Sequence, residues 1–327
     1  HSQSLGVKTN QTLVVKFPGH TEGLNTKLEA MKKTIARLPL VYQVTFSGAV
    51  PGEEVATFLS NRRTNDALKQ NRLYEMLACD PDYVDAYGLQ VVAGRNFSED
   101  YGDDVDKLVI NETAVRNLGF TSNDEAIGEL VNVECTDAPM QIIGVVKDYH
   151  QQALSKNYTP IMLIHKDKIA WLPQRYISIV MTSGDPRELV SQVHEIWNQY
   201  FADSSFDYFF LDQFFDHQYR QDEVFGVMIG AFTGLAIFIS CLGLWVLVMF
   251  SCSTRTKEMG IRKVLGASRW TLFYQLVKGF FLLILIAVVI ALPLAWFSMN
   301  AWLSHYAFRT DLKAWFFIMP VLLMLFI

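Results

Sequence analysis

The sequence has little cysteine and lacks the motifs of the common enzyme classes. Its 327 residues include four cysteines, none in a C-x-x-C pair, so neither a disulfide framework nor a zinc site is indicated. The phosphate-binding motif G-x-x-x-x-G-K-[ST] is absent, as are G-x-S-x-G and G-x-G-x-x-G. We therefore expect a non-catalytic chain without catalytic, cofactor-binding or metal-binding residues, and we expect any ATP hydrolysis to come from another chain.

Three segments carry side chains of the types that bind metals, but none has a complete ligand pattern. Residues 194–198 begin like the zinc-protease motif H-E-x-x-H, yet Asn198 stands at the second histidine position, so we interpret His194 as a surface helix residue. The acidic run at 99–106 lacks the spacing of a calcium loop, which favours a solvated loop. The adjacent residues Asp148, Tyr149 and His150 include two side chains of metal-binding types, and a metal site at this position stays open as an alternative.

Clustered positive charge is missing from most of the chain. Residues 1–221 contain 20 Lys and Arg against 29 Asp and Glu, whereas residues 222–327 contain 8 against 4. An acidic domain without a basic stripe argues against nucleic acid as a partner. Cys79 and Cys135 leave two readings open, a bridge in an oxidising compartment or two separate buried side chains, and we favour the second.

Long uncharged segments dominate residues 222–327. The 29 residues at 224–252 carry no charge and are long enough to cross the roughly 30 Å hydrocarbon core of a bilayer as a helix. A second uncharged segment, 279–304, contains Pro293. A third begins at residue 314 and stops after 14 residues, fewer than the roughly 20 that a span needs. The sequence therefore predicts an α-helical transmembrane bundle, truncated at its C-terminus.

The distribution of cations predicts how the chain crosses the membrane. Six Lys and Arg lie between the first two spans, at positions 255–278, and two lie between the second and third. The positive-inside rule then puts the first loop in the cytoplasm and residues 1–221 outside it. The chain begins at His1 without Met or a signal segment, so we expect that an upstream segment is missing.

Small residues recur on one face of the first span. Gly226, Gly230 and Gly234 are spaced four residues apart and so form a stripe on a helix. Such a stripe lets another helix approach closely. We interpret it as a helix-packing surface, with incidental glycine as the alternative.

Residues 1–221 contain a split βαβ repeat. Strands are predicted at 12–17, 41–47, 176–181 and 206–211, and helices at 24–38 and 186–200, with Asp185 as N-cap and Pro186 at the first helical position. Two such units pack as a ferredoxin-like α+β sandwich. Residues 48–173 form a β-rich insertion with strands at 90–93, 108–110, 130–133 and 141–146 and a helix at 112–118, and residues 48–52 read as a hinge.

The loop between the first two spans has the marks of a short helix, about 254–266. Ile261, Val264 and Leu265 fall on one face, and Glu258 and Arg262 are spaced for an i,i+4 ion pair. Gly266 is placed to end the helix in a left-handed conformation, with Ser268 as cap of the next. We interpret it as a part that transmits motion to both spans, with a solvated loop whose charges only set the topology as the alternative.

This loop resembles a family signature. Residues 255–268 read RTKEMGIRKVLGAS and match R-x-K-E-[IM]-G-I-R-[KR]-x-[LM]-G-A-[ST] of the FtsX-like permeases, a branch of ABC transporters that includes MacB and the lipoprotein-releasing permeases. VKDYH at 146–150 and AGRNF at 93–97 resemble the MacB-like periplasmic core domain. The candidate ATPase-coupling residues are Arg255, Lys257, Glu258, Gly260, Ile261, Arg262, Lys263, Val264, Leu265 and Gly266.

The resemblance implies a topology, and this chain lacks part of it. Family members have one span before the periplasmic domain and three after it, so the first span and most of the last are missing here. The porter lobe of the family corresponds to residues 11–47 and 174–221, and the sabre lobe to residues 48–173. The resemblance also implies a multi-pass protein of the cytoplasmic (inner) membrane.

The resemblance further implies a function by mechanotransmission. A separate ABC ATPase would drive motion of the periplasmic domain, which exports or extracts amphipathic substrates such as peptides, drugs or lipoproteins. The implied partners are that ATPase, a second permease protomer or repeat, membrane lipid, a periplasmic adaptor and an outer-membrane channel. The alternative is an FtsX-type signalling permease that controls extracytoplasmic cell-wall hydrolases.

Overall fold

The chain folds into two units. The computed structural model describes residues 6–9, 11–17, 24–65, 70–98, 104–152, 156–169, 171–172, 174–266, 268–303 and 315. The first unit is His1–Tyr219 and the second is Arg220–Ile327, a division two residues before the predicted domain boundary.

The first unit is α+β. Its described helices are α1 (Leu24–Ile35), α2 (Tyr83–Ala86), α3 (Glu112–Asn117), α4 (Asn123–Ala126) and α5 (Pro186–Tyr200). Its described strands are β1 (Thr12–Lys16), β2 (Val41–Ser47), β3 (Phe58–Arg63), β4 (Arg72–Cys79), β5 (Val91–Gly94), β6 (Lys107–Asn111), β7 (Leu130–Asn132), β8 (Met140–Val146), β9 (Ile161–His165), β10 (Tyr176–Met181) and β11 (Tyr208–Phe210). All eleven belong to one mixed sheet.

Four antiparallel strands in the order β11-β1-β10-β2 form what we call the four-stranded lobe. Side chains of α1 and α5 share a core with alternate residues of these strands, including Leu13, Val15, Ile177 and Ile179. The predicted strands and helices of the split repeat are confirmed, except that α1 ends at Ile35 and β11 is shorter. Leu211 was predicted as the end of a strand but is the first residue of a helix.

The N-terminus of α5 is capped as predicted. The Asp185 side chain accepts a hydrogen bond from the backbone N–H of Arg187 at 2.9 Å, and Pro186 follows at the first helical position. This pairing satisfies one of the N–H groups that a helix start leaves without an intrahelical partner. The predicted bounds of α5 are therefore confirmed.

Six strands of the insertion close into a ring, which we call the ring lobe. Each is hydrogen-bonded to two neighbours in the cyclic order β3-β4-β9-β6-β8-β7, with β7 returning to β3. β5 adds to the far end of β8. Closure leaves these six strands without the unpaired edge that promotes aggregation. A single pair, Ser47 with Cys79, joins the ring to the four-stranded lobe through β2 and β4.

Three ring strands were missed in the sequence. β4 contains Leu, Glu, Met and Ala, which favour helices in isolation. β3 carries a buried polar residue, Asn61, whose amide nitrogen lies 3.2 Å from the sulfur of Met76 and whose oxygen accepts from the Glu134 N–H at 3.0 Å. β9 is a five-residue apolar run, which periodicity alone does not assign. In each case burial inside the ring overrides local preference.

Ring strands are buried on both faces and serve two cores. Met76, Met162 and Ile164 point into the ring. Their alternating neighbours Leu77 and Leu163 point outward into a second core. This second core, the interlobe cluster, consists of Val14, Ala49, Val50, Val55, Leu77, Cys79, Tyr83, Val84, Tyr87, Leu89, Phe97, Val109, Ile143, Val146, Tyr149, Ile161, Leu163, Tyr176, Leu211 and Phe215. Because it includes Val14 and Tyr176 of β1 and β10, it holds the two lobes together.

The described part of the acidic run is a short 3-10 helix, Asp104–Asp106, in which Asp106 is exposed as expected but Asp104 is buried. Asp104 is 6% exposed and forms a two-pronged ion pair with Arg95, at 2.6 and 2.8 Å. These hydrogen bonds hold the pKa of Asp104 below its usual value. Asp106 pairs with Lys168. Residues 99–103 of the run lie outside the described residues.

Two long helices, α6 and α8, flank the short helix α7. α6 (Leu211–Thr254) begins in the first unit and runs for 44 residues without interruption. α7 (Thr256–Val264) and α8 (Arg269–Leu303) follow, and α8 contains Pro293 in its interior. The predicted third span lies, apart from Trp315, outside the described residues.

We predict that a fragment of residues 1–219 folds without the rest of the chain. Both lobes and the interlobe cluster lie within it, so its core is complete. Circular dichroism and a denaturant titration should give an α+β spectrum and a cooperative transition. A disordered spectrum or a gradual transition would contradict the domain assignment.

We predict that Asn111→Ala lowers the free energy of unfolding of this fragment by about 2–4 kcal/mol. The buried Asn111 oxygen accepts from the N–H groups of Ala114, at 2.9 Å, and Ile161, at 3.0 Å, and both would lose their acceptor. Exposed Asn198 on α5 is the matched control, and Asn198→Ala should change that free energy by less than about 0.5 kcal/mol. Equal losses in the two variants would refute the role of Asn111.

Candidate functional site

Side-chain hydroxyls end α6 just before α7. The Thr254 hydroxyl donates to the carbonyl of Phe250 at 3.1 Å, and the Thr256 hydroxyl donates to the carbonyls of Cys252 at 3.0 Å and Ser253 at 2.9 Å. The bonds to Cys252 and Ser253 satisfy carbonyls that a helix end leaves without an intrahelical partner. Arg255 is the single residue between the helices, with φ −101° and ψ 10°. The connection between α6 and α7 is therefore short.

The predicted coupling residues lie on α7 and at its two ends. α7 is shorter than the predicted 254–266, since Arg255 precedes it and Leu265 and Gly266 follow it. Glu258 is in its first turn and Arg262 and Lys263 are in its last, so each charge complements the helix dipole. Glu258 and Arg262 form the expected i,i+4 ion pair, at 3.9 Å.

Gly266 ends α7 in the predicted left-handed conformation. Its φ is +90°, a value that residues with a side chain rarely adopt. The Gly266 N–H donates to the Lys263 carbonyl at 3.2 Å, and the Leu265 N–H donates to the Ile261 carbonyl at 3.1 Å. α8 begins at Arg269, directly after Ser268.

The apolar face of α7 is exposed. Ile261 is 64% exposed, Val264 89% and Leu265 80%. Apolar residues at these spacings normally form the buried stripe of a surface helix. Nothing in the described part of the chain covers this stripe.

Five described glycines in these helices have open space around them. A Cβ atom built on Gly226, Gly230, Gly234 or Gly243 of α6, or on Gly260 of α7, meets no described atom within 4 Å. Glycine inside a helix costs about 1 kcal/mol relative to alanine. The described chain alone therefore offers no packing reason for glycine at these positions.

One helical segment in the described part of the chain is long and apolar enough to cross a membrane. It is Val224–Thr254, 31 residues of α6. The apolar segment Leu285–Ala301 within α8 is shorter. The predicted second span, 279–304, coincides with α8 up to residue 303.

The residues weighed as metal ligands have structural partners instead. Asp148 accepts hydrogen bonds from the N–H and hydroxyl of Thr113, both at 2.8 Å, and pairs with Arg116 at 2.7 Å. His194 stacks on Phe206, with ring centroids 4.9 Å apart. Within the described ranges, no three His, Cys, Asp or Glu side chains are close enough to share a metal ion. Neither Cys79 nor Cys135 forms a disulfide, and Cys79 is buried as expected, but the expectation that Cys135 is also buried is wrong because that side chain is exposed.

The packing of the start of α6 is a structural feature that sequence reasoning missed. Leu211 and Phe215 belong to the interlobe cluster, and Phe214 packs against it. The helix that contains the predicted span is therefore anchored in the core of the first unit at its other end. The spacing of Leu211 and Phe215, four residues apart in a polar segment, was the available signal.

Two family models match the chain. The MacB-like periplasmic core domain matches residues 4–197, more than half of the chain. The FtsX-like permease C-terminal model matches residues 230–327. The two matches fall on the first unit and on the apolar helices respectively.

The curated relatives of this chain have names that contain the word permease. The uncharacterized ABC transporter permease YvrN of Bacillus subtilis (strain 168) is 22% identical over 214 residues, covering 62% of this chain and 52% of YvrN. The macrolide export ATP-binding/permease protein MacB of Sodalis glossinidius is 24% identical over 217 residues, covering 62% of this chain and 32% of that protein. The chain thus spans about half of one relative and about a third of the other.

A solved structure also resembles the first unit. The crystal structure of the periplasmic region of MacB from Actinobacillus actinomycetemcomitans aligns with 64% of this chain and 92% of that one. The sequence identity is 16% and the TM-score is 0.45.

Proposed function

The chain belongs to the ABC transporter permeases that carry a MacB-like periplasmic core domain and an FtsX-like permease domain, and from this premise we propose that it transmits the motion of a separate ATPase to its periplasmic domain. In this proposal α7 docks on the ATPase, α6 carries the motion, and the first unit acts on substrate. The chain itself contributes binding and movement, and the ATPase contributes ATP hydrolysis.

The exposed apolar face of α7 carries this proposal. Ile261, Val264 and Leu265 present a compact apolar surface flanked by Glu258 and Arg262. Apolar residues at the centre and charges at the rim are the usual composition of a protein–protein contact. The charges then set partner choice and register more than raw affinity. Glycine at 260 is consistent with a partner surface that comes too close for a side chain.

The continuity of α6 supports transmission. Its 44 residues extend about 66 Å, at about 1.5 Å per residue, from Leu211 to Thr254. One end is joined to α7 through Arg255 alone, and the other packs into the interlobe cluster. A displacement of α7 therefore acts on one continuous helix whose far end is anchored in the soluble unit.

The charge of the α7 loop supports a cytoplasmic location for the docking surface. Six Lys and Arg between the spans favour the cytoplasmic side under the positive-inside rule, so the first unit lies outside the cytoplasm. We infer a multi-pass protein of the cytoplasmic (inner) membrane whose spans contact lipid and a second permease protomer or repeat.

The two lobes of the first unit fit the porter and sabre lobes of the family. The order β11-β1-β10-β2 with α1 and α5 packed on one face supports a ferredoxin-like porter lobe, and the ring lobe takes the place of the sabre. We infer that these lobes export or extract amphipathic substrates on the periplasmic side, with an adaptor and an outer-membrane channel as further partners.

We predict that substitutions on α7 weaken ATPase binding. Glu258→Lys and Arg262→Glu reverse rim charges and should lower association at least several-fold, and Gly260→Trp should abolish it sterically. Each variant is co-purified with its ATPase in detergent, and ATP hydrolysis is measured in nanodiscs.

The matched control for the α7 variants reverses a charge outside the cytoplasm. Lys33→Glu, at an exposed position on α1, should leave association and hydrolysis unchanged. Membrane insertion should be normal in all four variants. Wild-type association in the three α7 variants would refute the docking surface.

We also predict that Gly230→Leu impairs assembly of the permease. The bulky side chain prevents close helix approach, which in lipid depends on small residues because apolar burial gives no driving force there. Ala231→Leu, one residue along α6 and off the glycine stripe, is the control. Chemical cross-linking in nanodiscs measures assembly. Equal assembly of both variants would identify the stripe as incidental.

A further inference from the structure

The first turn of α6 is built into the first unit. Leu211 is 0% exposed and Phe215 is 3% exposed, whereas Gln213 and Asp216 on the same helix are exposed. Two apolar residues four apart lie on one side of a helix, so α6 presents one face to the interlobe cluster. Phe214 adds a second ring beside this face, 5.3 Å from the ring of Phe209.

The Phe215 ring lies directly against the backbone of Gly52. A Cβ atom at position 52 would lie 2.7 and 2.9 Å from two carbons of that ring and 3.2 Å from Phe214. At such distances a methyl group would force the Phe215 ring to move. Gly52 also has φ +89°, which glycine adopts readily and other residues do not. The contact therefore requires glycine for two independent reasons.

Gly52 belongs to the loop at 48–57 that connects the two lobes, from β2 to β3. The segment after β8 of the ring lobe holds this loop on one side. The Gly52 N–H donates to the His150 carbonyl at 3.3 Å, and the Gln151 side chain donates to the carbonyls of Val50 at 2.8 Å and Glu53 at 3.1 Å.

The four-stranded lobe holds the same loop on the other side. The hydroxyl of Tyr176, in β10, donates to a carboxylate oxygen of Glu53 at 2.7 Å. Three bodies thus meet at this loop: the ring lobe through His150 and Gln151, the four-stranded lobe through Tyr176, and α6 through Phe215.

We propose that the contact between Gly52 and Phe215 is a joint through which a tilt of α6 changes the disposition of the two lobes. Because the Phe215 ring contacts the Gly52 backbone with no side chain between them, a displacement of the ring acts directly on the loop. Packed interfaces switch between discrete arrangements more readily than they deform. Phe215 acts as a positioning residue. The use of this joint in transport rests on the proposed function, but the joint itself does not require an ATPase.

The test uses bilayer thickness to tilt α6. A helix whose apolar length exceeds the hydrocarbon thickness tilts, so nanodiscs of short-chain and long-chain lipids impose different tilts on the full chain. Spin labels on Cys135, exposed in the ring lobe, and on Ala30→Cys, at an exposed position of α1, report the separation of the lobes. Cys241→Ser and Cys252→Ser remove the other accessible thiols, and singly labelled chains identify distances between copies.

We expect the mean distance between the labels to differ between the two lipids in the otherwise unchanged chain. In Phe215→Ala this lipid-dependent shift should be lost. Phe201→Ala is the matched control, because Phe201 is 5% exposed and packs on Trp197 in the other core of the four-stranded lobe. Phe201→Ala also removes one buried phenyl ring, but the lipid-dependent shift in the distance between the labels should be retained.

Phe215→Leu keeps the joint testable if the alanine variant fails to fold. Leucine preserves most of the apolar volume but does not reach Gly52 as the ring does, so the shift should fall while the circular dichroism spectrum stays unchanged. An unchanged shift in both Phe215 variants, or no shift in the parent chain, would overturn the joint. Neither result depends on whether α7 binds an ATPase, so failure of the joint and failure of the proposed function are distinguishable.

Discussion

Packing in the interlobe cluster is the constraint on which the two lobes and the start of α6 depend. Ring strands direct alternate side chains into this cluster and into the ring, so a register slip of one residue would exchange two sets of buried groups. A buried ion pair adds to this junction. Asp80, at the end of β4, accepts from the Lys32 ammonium of α1 at 2.6 Å and from the N–H of Phe46 in β2 at 3.0 Å. Loss of Lys32 would leave a buried carboxylate without its cation, which is costly.

Local signals in the sequence predicted those elements whose form depends on their own residues. The bounds of α5 follow from Asp185 and Pro186, the end of α7 follows from Gly266, and the long apolar helix follows from its lack of charge. β3 and β4 could not be predicted in this way, because their composition is polar or helix-favouring and only closure of the ring makes them strands. The length of the α6 extension was likewise missed, since its polar residues before 224 resemble a linker.

The joint at Gly52 is of a different kind, because no local pattern contains it. In the sequence, Gly52 is one of several glycines in loops, and Phe215 is one aromatic residue of a charged segment. Neither position stands out from its neighbours. Their significance arises from a contact across 163 positions of sequence, formed only when β1, β10 and the ring strands have assembled around them. Residues 48–52 were read from the sequence as a hinge, which stays a prediction, and no sequence pattern indicated the contact of this loop with Phe215.

Lipid explains the apolar surface of the second unit but not its glycines. The side chains of Val224–Thr254 are exposed over an area far beyond what a soluble monomer tolerates, and hydrocarbon satisfies them. Hydrocarbon gives no comparable reason for Gly226, Gly230 and Gly234, because lipid tails contact leucine as well as they contact glycine. Gly260 raises the same question on a helix that lies outside the span. Since helical glycine carries a conformational cost, these positions accord with the proposed contacts to other protein segments, through α6 and through α7.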